Sequence, residues 1–463
     1  MNKLFTKLSS FFSLTFHSPK GGAGGGFAHA FALIRADKLF STIYVAGTAV
    51  AIASAMVVAI VLNIMLADIA PEVNRSRTLY TVNTFIKESK VGEPVFAGLS
   101  TEAIDSCFKK MQCVEAVSGT SIIYSQGFVV SDMERLRSVG VLTKLCNPDF
   151  FRLYEFRFLS GRPFSEKEFR DGERVCVITD KLAKSINLTL KEDEASLLFN
   201  EQHFRVVGVV KETSVLMKES AADIYSPYST GNYGWNFEEG DPDVSFSGHV
   251  DARILLKKGF TRKDFLNEFE PMRKHYEAVT SSKLGEGVSW AFRADSYYHH
   301  ATWFGFDTDN RTFSMAVNLL PPAILMLLFL FLPAINLSGL VANRMEARRA
   351  EMGIRKAFGA KRRKLLWEVL FENLVLTLCG GAVGWLLSWL CIWAISENAV
   401  FLTILTRGEL HNANVCLDFQ MFFTPTLFIV CFICCAVLNH MAAFLPAWRS
   451  LRKPIVESLN QKR

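Results

Sequence analysis

The densest run of side chains able to act on a partner lies at residues 344–364, RMEARRAEMGIRKAFGAKRRK. Arg344, Arg348, Arg349, Arg355, Lys356, Lys361, Arg362, Arg363 and Lys364 crowd this interval, and Glu351 stands four residues before Arg355, the favourable order for a helical ion pair. Gly353, Ala357, Gly359 and Ala360 interleave the charges with side chains so small that another protein can approach the backbone closely. The chemistry is that of a non-covalent contact surface. On charge alone the segment is equally an ordinary cytoplasmic loop of a multispanning membrane protein.

Covalent chemistry finds no such concentration. The sequence has no nucleophile elbow, no H-E-x-x-H and no motif that would pair an acid with a base, so no catalytic residue is predicted and the chain is not expected to be an enzyme. His299 and His300 are adjacent, and neighbouring residues rarely face the same way, so no metal site is expected there. Cys107, Cys113, Cys146, Cys176 and Cys416 fall between the apolar spans defined below, whereas Cys379, Cys391, Cys431, Cys434 and Cys435 fall within them. None has metal-ligand spacing; a Cys107–Cys113 disulfide is open on spacing, with buried free thiols the favoured alternative. The run GGAGGG at residues 21–26 is a flexible linker, because no Lys followed by Ser or Thr closes it into a phosphate loop. No G-x-x-x-x-G-K-[ST] occurs anywhere in the chain.

The elements that must carry the basic segment are membrane spans. Half the residues are hydrophobic, 39 are phenylalanine and mean hydropathy is positive, a composition rare in soluble domains. Four stretches free of Asp, Glu, Lys and Arg, at residues 41–67, 312–343, 373–396 and 419–448, each exceed the roughly 20 residues needed to cross the hydrocarbon core. Arg35 and Lys38 precede the first span, the basic segment follows the second, and Arg449, Arg452 and Lys453 follow the fourth, which puts both termini in the cytoplasm. The expected order is a cytoplasmic segment 1–40, span 41–67, an outer domain 68–311, span 312–343, a cytoplasmic coupling segment 344–372, span 373–396, a short outer loop 397–418, span 419–448 and a cytoplasmic tail 449–463. Residues 27–40 suit an interfacial helix on the inner leaflet, or simply the cytoplasmic end of the first span. The basic excess flanks the spans, where lipid headgroups account for it, and nucleic-acid binding is excluded.

The outer region reads as α+β. Residues 79–86 form a strand, 101–111 a helix and 114–130 a return to β structure; 160–164 make a turn, 174–179 a strand, 180–185 a helix start and 204–210 another strand. Two lobes are expected. Residues 228–247, rich in Gly, Asn, Asp and aromatics, are either a partner-contacting loop or a packed connection.

Within the spans, Gly47, Ala51, Ala55 and Ala59 recur every fourth residue and Gly380 with Gly384 makes a G-x-x-x-G step, two small faces suited to close helix packing. They serve a dimer seam or packing within one subunit. Pro321, Pro322 and Pro333 each remove a backbone donor from the second span, which predicts a bend or local unwinding and makes that helix a candidate hinge.

The string Glu351-Met352-Gly353-Ile354-Arg355-Lys356-Ala357-Phe358-Gly359-Ala360 resembles the E-x-G-[IV]-R-[KR]-A-[LF]-G-A signature of the MacB/FtsX/LolC-E class of ABC-transporter permeases, the type VII or mechanotransmission class. A second likeness is the order G-R-x-F, VCVITDKLA, FRVVGVVKE and DIYSPY, which is similar to the MacB-type periplasmic core domain, although residues 187–202 lack the usual small glycine turn. LPAWR and PIVESL resemble the tail that follows the fourth helix in these permeases.

The resemblance implies four transmembrane helices in the inner membrane, with a periplasmic domain of porter-like and sabre-like lobes between helices 1 and 2. It also implies that residues 351–360 dock a separate ABC ATPase, which would bind the ATP and Mg; no cofactor is expected in this chain. A second permease subunit, identical or related, is an expected partner, as are membrane lipids and, in efflux members, a periplasmic adaptor and an outer-membrane duct. The expected function is to couple ATP hydrolysis to movement of the periplasmic domain in efflux or extraction. The alternative is FtsX-like control of a cell-wall hydrolase.

Overall fold

The computed structural model describes residues 37–87, 98–99, 101–121, 125–132, 137–188, 195–199, 202–214, 217–230, 247–248, 250–284, 288–296, 311–396 and 425–452. In chain order the first half comprises α1 (Lys38–Leu66), β1 (Thr78–Lys87), β2 (Gly98–Leu99), α2 (Thr101–Ser106), β3 (Val114–Ser121), β4 (Ser125–Asp132), β5 (Arg137–Cys146), α3 (Phe150–Leu153), β6 (Phe158–Gly161), α4 (Glu166–Arg170), β7 (Val175–Thr179), α5 (Asp180–Ser185), β8 (Ser196–Phe199) and β9 (Gln202–Val210). There follow β10 (Ile224–Pro227), β11 (Ser247–Gly248), β12 (Val250–Leu256), α6 (Arg262–Leu284), β13 (Val288–Ser296), α7 (Arg311–Ala347), α8 (Arg349–Ala357), α9 (Arg362–Ser396) and α10 (Pro425–Arg452). The chain divides into two compact units: Met1–Val61 with Leu320–Ile395 and Phe422–Arg463, and Leu62–Leu319 with Ser396–Met421.

The described residues of the first unit are helical. Among the described residues four helices are long and apolar enough to cross a membrane, over Lys38–Ile64, Leu320–Ala347, Arg362–Ala394 and Pro425–Arg452. The helix carrying the third span begins at Arg362 rather than residue 373, because the intervening Lys, Leu, Trp and Glu residues are good or tolerated helix formers and nothing among them breaks the helix. The coupling segment is correspondingly reduced to a short helix, α8, and the residues joining it to α9. Pro321, Pro322 and Pro333, where a bend or local unwinding is expected, all lie inside α7, which is helical through them. Tyr44, Leu337, Val341, Leu376, Ala443 and Ala447 are buried in the bundle.

The second unit is built on one mixed sheet in the order β10-β7-β9-β8-β4-β5-β3-β12-β1-β13, with β5 also pairing β10 in parallel. β12 shows why it folds. Ala252, Ile254 and Leu256 face a core with Phe108, Phe265 and Phe269, while Leu255 faces a second core, the alternation a strand with both faces covered requires. Phe265 and Phe269 stand one turn apart on α6 and stack on Phe108, with ring centroids 6.2 and 5.6 Å away. VCVIT of β7 is buried throughout, as fits a strand between parallel β9 and antiparallel β10.

The turn expected at residues 160–164 depends on Gly161, whose φ is +70° and where a Cβ would collide with the Val207 carbonyl oxygen. Next to it Ser165 and Glu168 close a capping box on α4, and Arg162 donates two parallel hydrogen bonds, both 2.8 Å, to the Glu168 carboxylate. The helix expected over 101–111 stops at Ser106 and resumes as a 3₁₀ turn at Phe108–Lys110. Cys107 and Cys113 are buried free thiols. The features predicted at residues 21–26, 27–36, 231–246, 299–300, 397–418 and 453–463 lie outside the described residues.

Candidate functional site

α8 holds residues 351–357 of the signature 351–360. Its acidic residue, Glu351, sits in the first turn together with Arg349, and Arg355 and Lys356 sit in the last, where basic side chains complement the helix dipole. The expected i, i+4 pair forms, with Arg355 Nη2 2.6 Å from Glu351 Oε1. At the C-terminus Gly359 adopts φ +91°, and the N–H groups of Phe358, Gly359 and Ala360 donate to the Ile354, Lys356 and Arg355 carbonyls. The glycine is needed for that backbone conformation, since a Cβ there would meet nothing within 4 Å.

The faces of α8 differ sharply. Met352 and Gly353 are buried, whereas Ile354 is 49% and Phe358 88% exposed. Three helices hold the buried face. Arg348, just before α8, lies 3.2 Å from the buried Glu372 of α9 and 3.4 Å from Glu351; Arg344, at the end of α7, also pairs with Glu372 and lies with its guanidinium 4.2 Å over the Phe40 ring of α1. Arg355 reaches Glu368 of α9 at 3.2 Å. Lys356 Nζ donates to the Leu451 carbonyl at the end of α10, at 2.7 Å. Burial, and then the nearby Arg362, lower the Lys356 pKa from the ordinary lysine value. The small cleft between α8 and α9 is lined by Arg348, Met352, Arg355, Leu365, Glu368, Val369 and Glu372, the same ion-pair network. It positions a helix; it offers no catalytic constellation, and no group of His, Cys, Asp or Glu among the described residues could hold a metal ion.

Two family models match the chain on either side of residues 270–322: a MacB-like periplasmic core domain over residues 41–269 and an FtsX-like permease C-terminal domain over residues 323–455. The chain belongs to the MacB/FtsX-like ABC-transporter permeases. This permease is 22% identical over 325 residues to the macrolide export ATP-binding/permease protein MacB of Shewanella sp. (strain W3-18-1), covering 70% of this chain and 44% of that protein. It is 24% identical over 240 residues to the uncharacterized ABC transporter permease YknZ of Bacillus subtilis (strain 168), covering 51% of this chain and 54% of that one. The chain therefore spans about half the length of the curated relatives it matches. The periplasmic region of MacB from Actinobacillus actinomycetemcomitans aligns with 48% of this chain and 89% of its own length at a TM-score of 0.34 and 16% identity.

The other predicted residues of the permease fall in three places. Ala51, Ala55 and Ala59 are buried on α1 and Gly47 is half-buried. Gly380 and Gly384 of α9 pack on α1 within the subunit; a Cβ at Gly384 would lie 2.7 Å from the Ala49 carbonyl oxygen, and one at Gly380 would lie 2.7 Å from the Thr48 Cβ. Pro321 is exposed, Pro322 and Pro333 half-buried.

Sequence reasoning missed the carboxylates Glu368 and Glu372, which stand one turn apart immediately after the basic run; that i, i+4 spacing opposite unpaired arginines was the available signal. It also missed a polar node in the bundle, where Asn439 Nδ2 of α10 lies 3.4 Å from Thr48 Oγ1 of α1 and 3.5 Å from Thr377 Oγ1 of α9, and Tyr44 Oη lies 3.3 Å from the same Thr377 oxygen. Asn within an apolar span is itself a signal of interhelical hydrogen bonding.

Proposed function

We propose that this permease is a multi-pass inner-membrane subunit that couples ATP hydrolysis by a separate ABC ATPase to movement of its sheet domain, in efflux or extraction of a periplasmic or membrane substrate. The observation that carries the proposal is the exposure of Phe358 and Ile354 on a helix whose opposite face is pinned by ion pairs. A large apolar side chain left in water on a fixed support is a ready anchor for a partner groove.

The wiring supports coupling as well as docking. A push on α8 loads α7 through Arg344 and Arg348, α9 through Glu368 and Glu372, and α10 through Leu451, so displacement reaches several helices at once. In this reading residues 351–360 face the cytoplasm, both termini lie on that side and the sheet domain is periplasmic, an orientation the basic flanks support. A second permease subunit completes the complex. ATP and Mg belong to the ATPase.

Affinity purification of the solubilised chain, wild type beside Phe358→Glu and Gly359→Arg, tests the assignment. An ABC ATPase retained by wild type and lost from both variants is the expected result. Retention by all three would remove α8 as the docking site, and its absence from all three would remove the partner.

A further inference from the structure

The outward face of α10 carries an ordered gradient of side chains. Met441, Phe444, Leu445, Trp448, Arg449 and Arg452 are all exposed and recur at three- and four-residue spacings, so they line one stripe along the helix. The opposite face, with Asn439, Ala443, Ala447 and Leu451, is buried. Along the stripe the chemistry passes from apolar side chains through an indole to two cations. From Met441 to Arg452 it rises about 17 Å at ~1.5 Å per residue, close to the depth of one leaflet in a hydrocarbon core about 30 Å thick.

The polar end is preorganised and short of negative charge. Phe444 and Trp448 stack with ring centroids 6.4 Å apart, and the Arg452 guanidinium carbon lies 3.5 Å from the Trp448 ring centroid. Stacking of this kind uses the flat face of a guanidinium and leaves its N–H edge for an anion. Arg449 and Arg452 stand three residues apart, a spacing that makes like charges neighbours. At the adjoining corner of the helical unit, where Lys356 meets the Leu451 carbonyl, Arg344, Arg348, Arg349 and Arg355 are each matched by a glutamate. α10 itself contains no Asp or Glu, and no carboxylate among the described residues pairs with Arg449 or Arg452.

We propose that this stripe binds one anionic glycerophospholipid, with an acyl chain along Met441, Phe444 and Leu445, the glycerol level with Trp448 and the phosphodiester shared by Arg449 and Arg452. Indole rings sit at the headgroup level of a bilayer, and a phosphate oxygen takes charge-assisted hydrogen bonds from guanidinium groups. A zwitterionic lipid brings the same phosphate with a cation attached, which two arginines oppose. A second copy of the chain is the poorer occupant, because a two-fold seam through this face would set arginines against arginines with no carboxylate between them. The site rests on α10 lying in a membrane, for which it is long and apolar enough, and not on the ATPase assignment. In the orientation proposed above it belongs to the cytoplasmic leaflet.

Photolabelling of the full chain in phosphatidylcholine nanodiscs tests the site. A trace of phosphatidylglycerol carrying a diazirine on its acyl chain is compared with the matching phosphatidylcholine probe, and labelled positions are mapped by peptide mass spectrometry. Labelling of residues 441–448 is expected to be about 5- to 30-fold higher from the phosphatidylglycerol probe, the enrichment that one to two cations give near an anionic headgroup. Ile429 and Ile433, at the other end of the same exposed face, are the internal standard and label equally from both probes. Arg449→Gln/Arg452→Gln is expected to bring the two probes within about twofold of each other at residues 441–448. If that variant does not fold, Arg452→Gln alone is expected to cut the preference by about fivefold, and no change would count against the site. Equal labelling by both probes in wild type, or a preference that survives the paired substitution, would overturn the proposal, as would crosslinking of this face to a second copy of the chain in place of lipid. No readout involves an ATPase, so failure of the docking assignment leaves the result standing.

Discussion

Glu372, 3% exposed at its side chain, lies 3.2 Å from Arg348 and holds the approach to α8 against the start of α9. The same carboxylate pairs with Arg344. One buried anion thus fixes two cations from the end of α7 and its junction with α8, and removing it leaves both guanidinium groups without that compensation.

Glu372→Leu is expected to destabilise the helical unit by about 3–5 kcal/mol, the cost of breaking a buried ion pair from one side. The free energy of unfolding in detergent, measured by denaturant titration, checks it. A loss below about 1 kcal/mol would mean that the pair is solvated in the membrane-bound protein.

Close packing of α9 on α1 gives a second expectation. Gly384→Val forces the added side chain towards the Ala49 carbonyl and the Ile52 side chain, and overpacking of this kind costs about 1–3 kcal/mol. Gly339→Ala is the control, because a Cβ there meets nothing within 4 Å, and a helical glycine exchanged for alanine is neutral or stabilising by up to about 1 kcal/mol. Equal unfolding midpoints for the two variants would argue against the seam.

The sheet domain carries a pH dependence of known sign. Hydrogen bonds from Arg162, and then from the Ser165 backbone and hydroxyl, hold the Glu168 pKa at about 2 against an ordinary value of 4.5, burial opposing the shift. Its contribution to stability is fully present above pH 4.5 and is lost as pH falls towards 2. Arg162 and Arg205 are 53% and 37% exposed, so solvent screening reduces that contribution to the order of 1–2 kcal/mol. Glu168→Gln should flatten the acid limb of the thermal-melting profile between pH 4.5 and 2, and an unchanged limb would assign it to other groups.

Much of this was legible in the sequence where a residue type has few uses. Unbroken apolar spans, the alternating Leu79 to Ile86 strand and the Gly161 turn each follow from local pattern, and so does the Glu351–Arg355 pair. What local pattern does not carry is the partner supplied from far along the chain. Arg348 is an ordinary basic-loop residue until Glu372 is folded against it, and Lys356 gives no sign that it will meet the Leu451 carbonyl. Phenylalanine abundance pointed to the membrane, yet Phe150, Phe151, Phe156, Phe158 and Phe164 build the aromatic core of the sheet domain around Tyr225. The prolines of α7 stand inside a continuous helix, which tolerates the loss of a donor where its neighbours and context re-satisfy the freed groups.

The central claim is that the exposed face of α8 is where an ABC ATPase docks. A photo-crosslinking amino acid placed at position 358 of the chain expressed in its own cells, with position 386 as a control, tests it directly; Leu386 is 61% exposed on α9. The account predicts a crosslinked product at 358 whose second component is an ABC ATPase, absent when the label is at 386. Crosslinking at 358 to lipid alone, or to the ATPase equally from both positions, would contradict it.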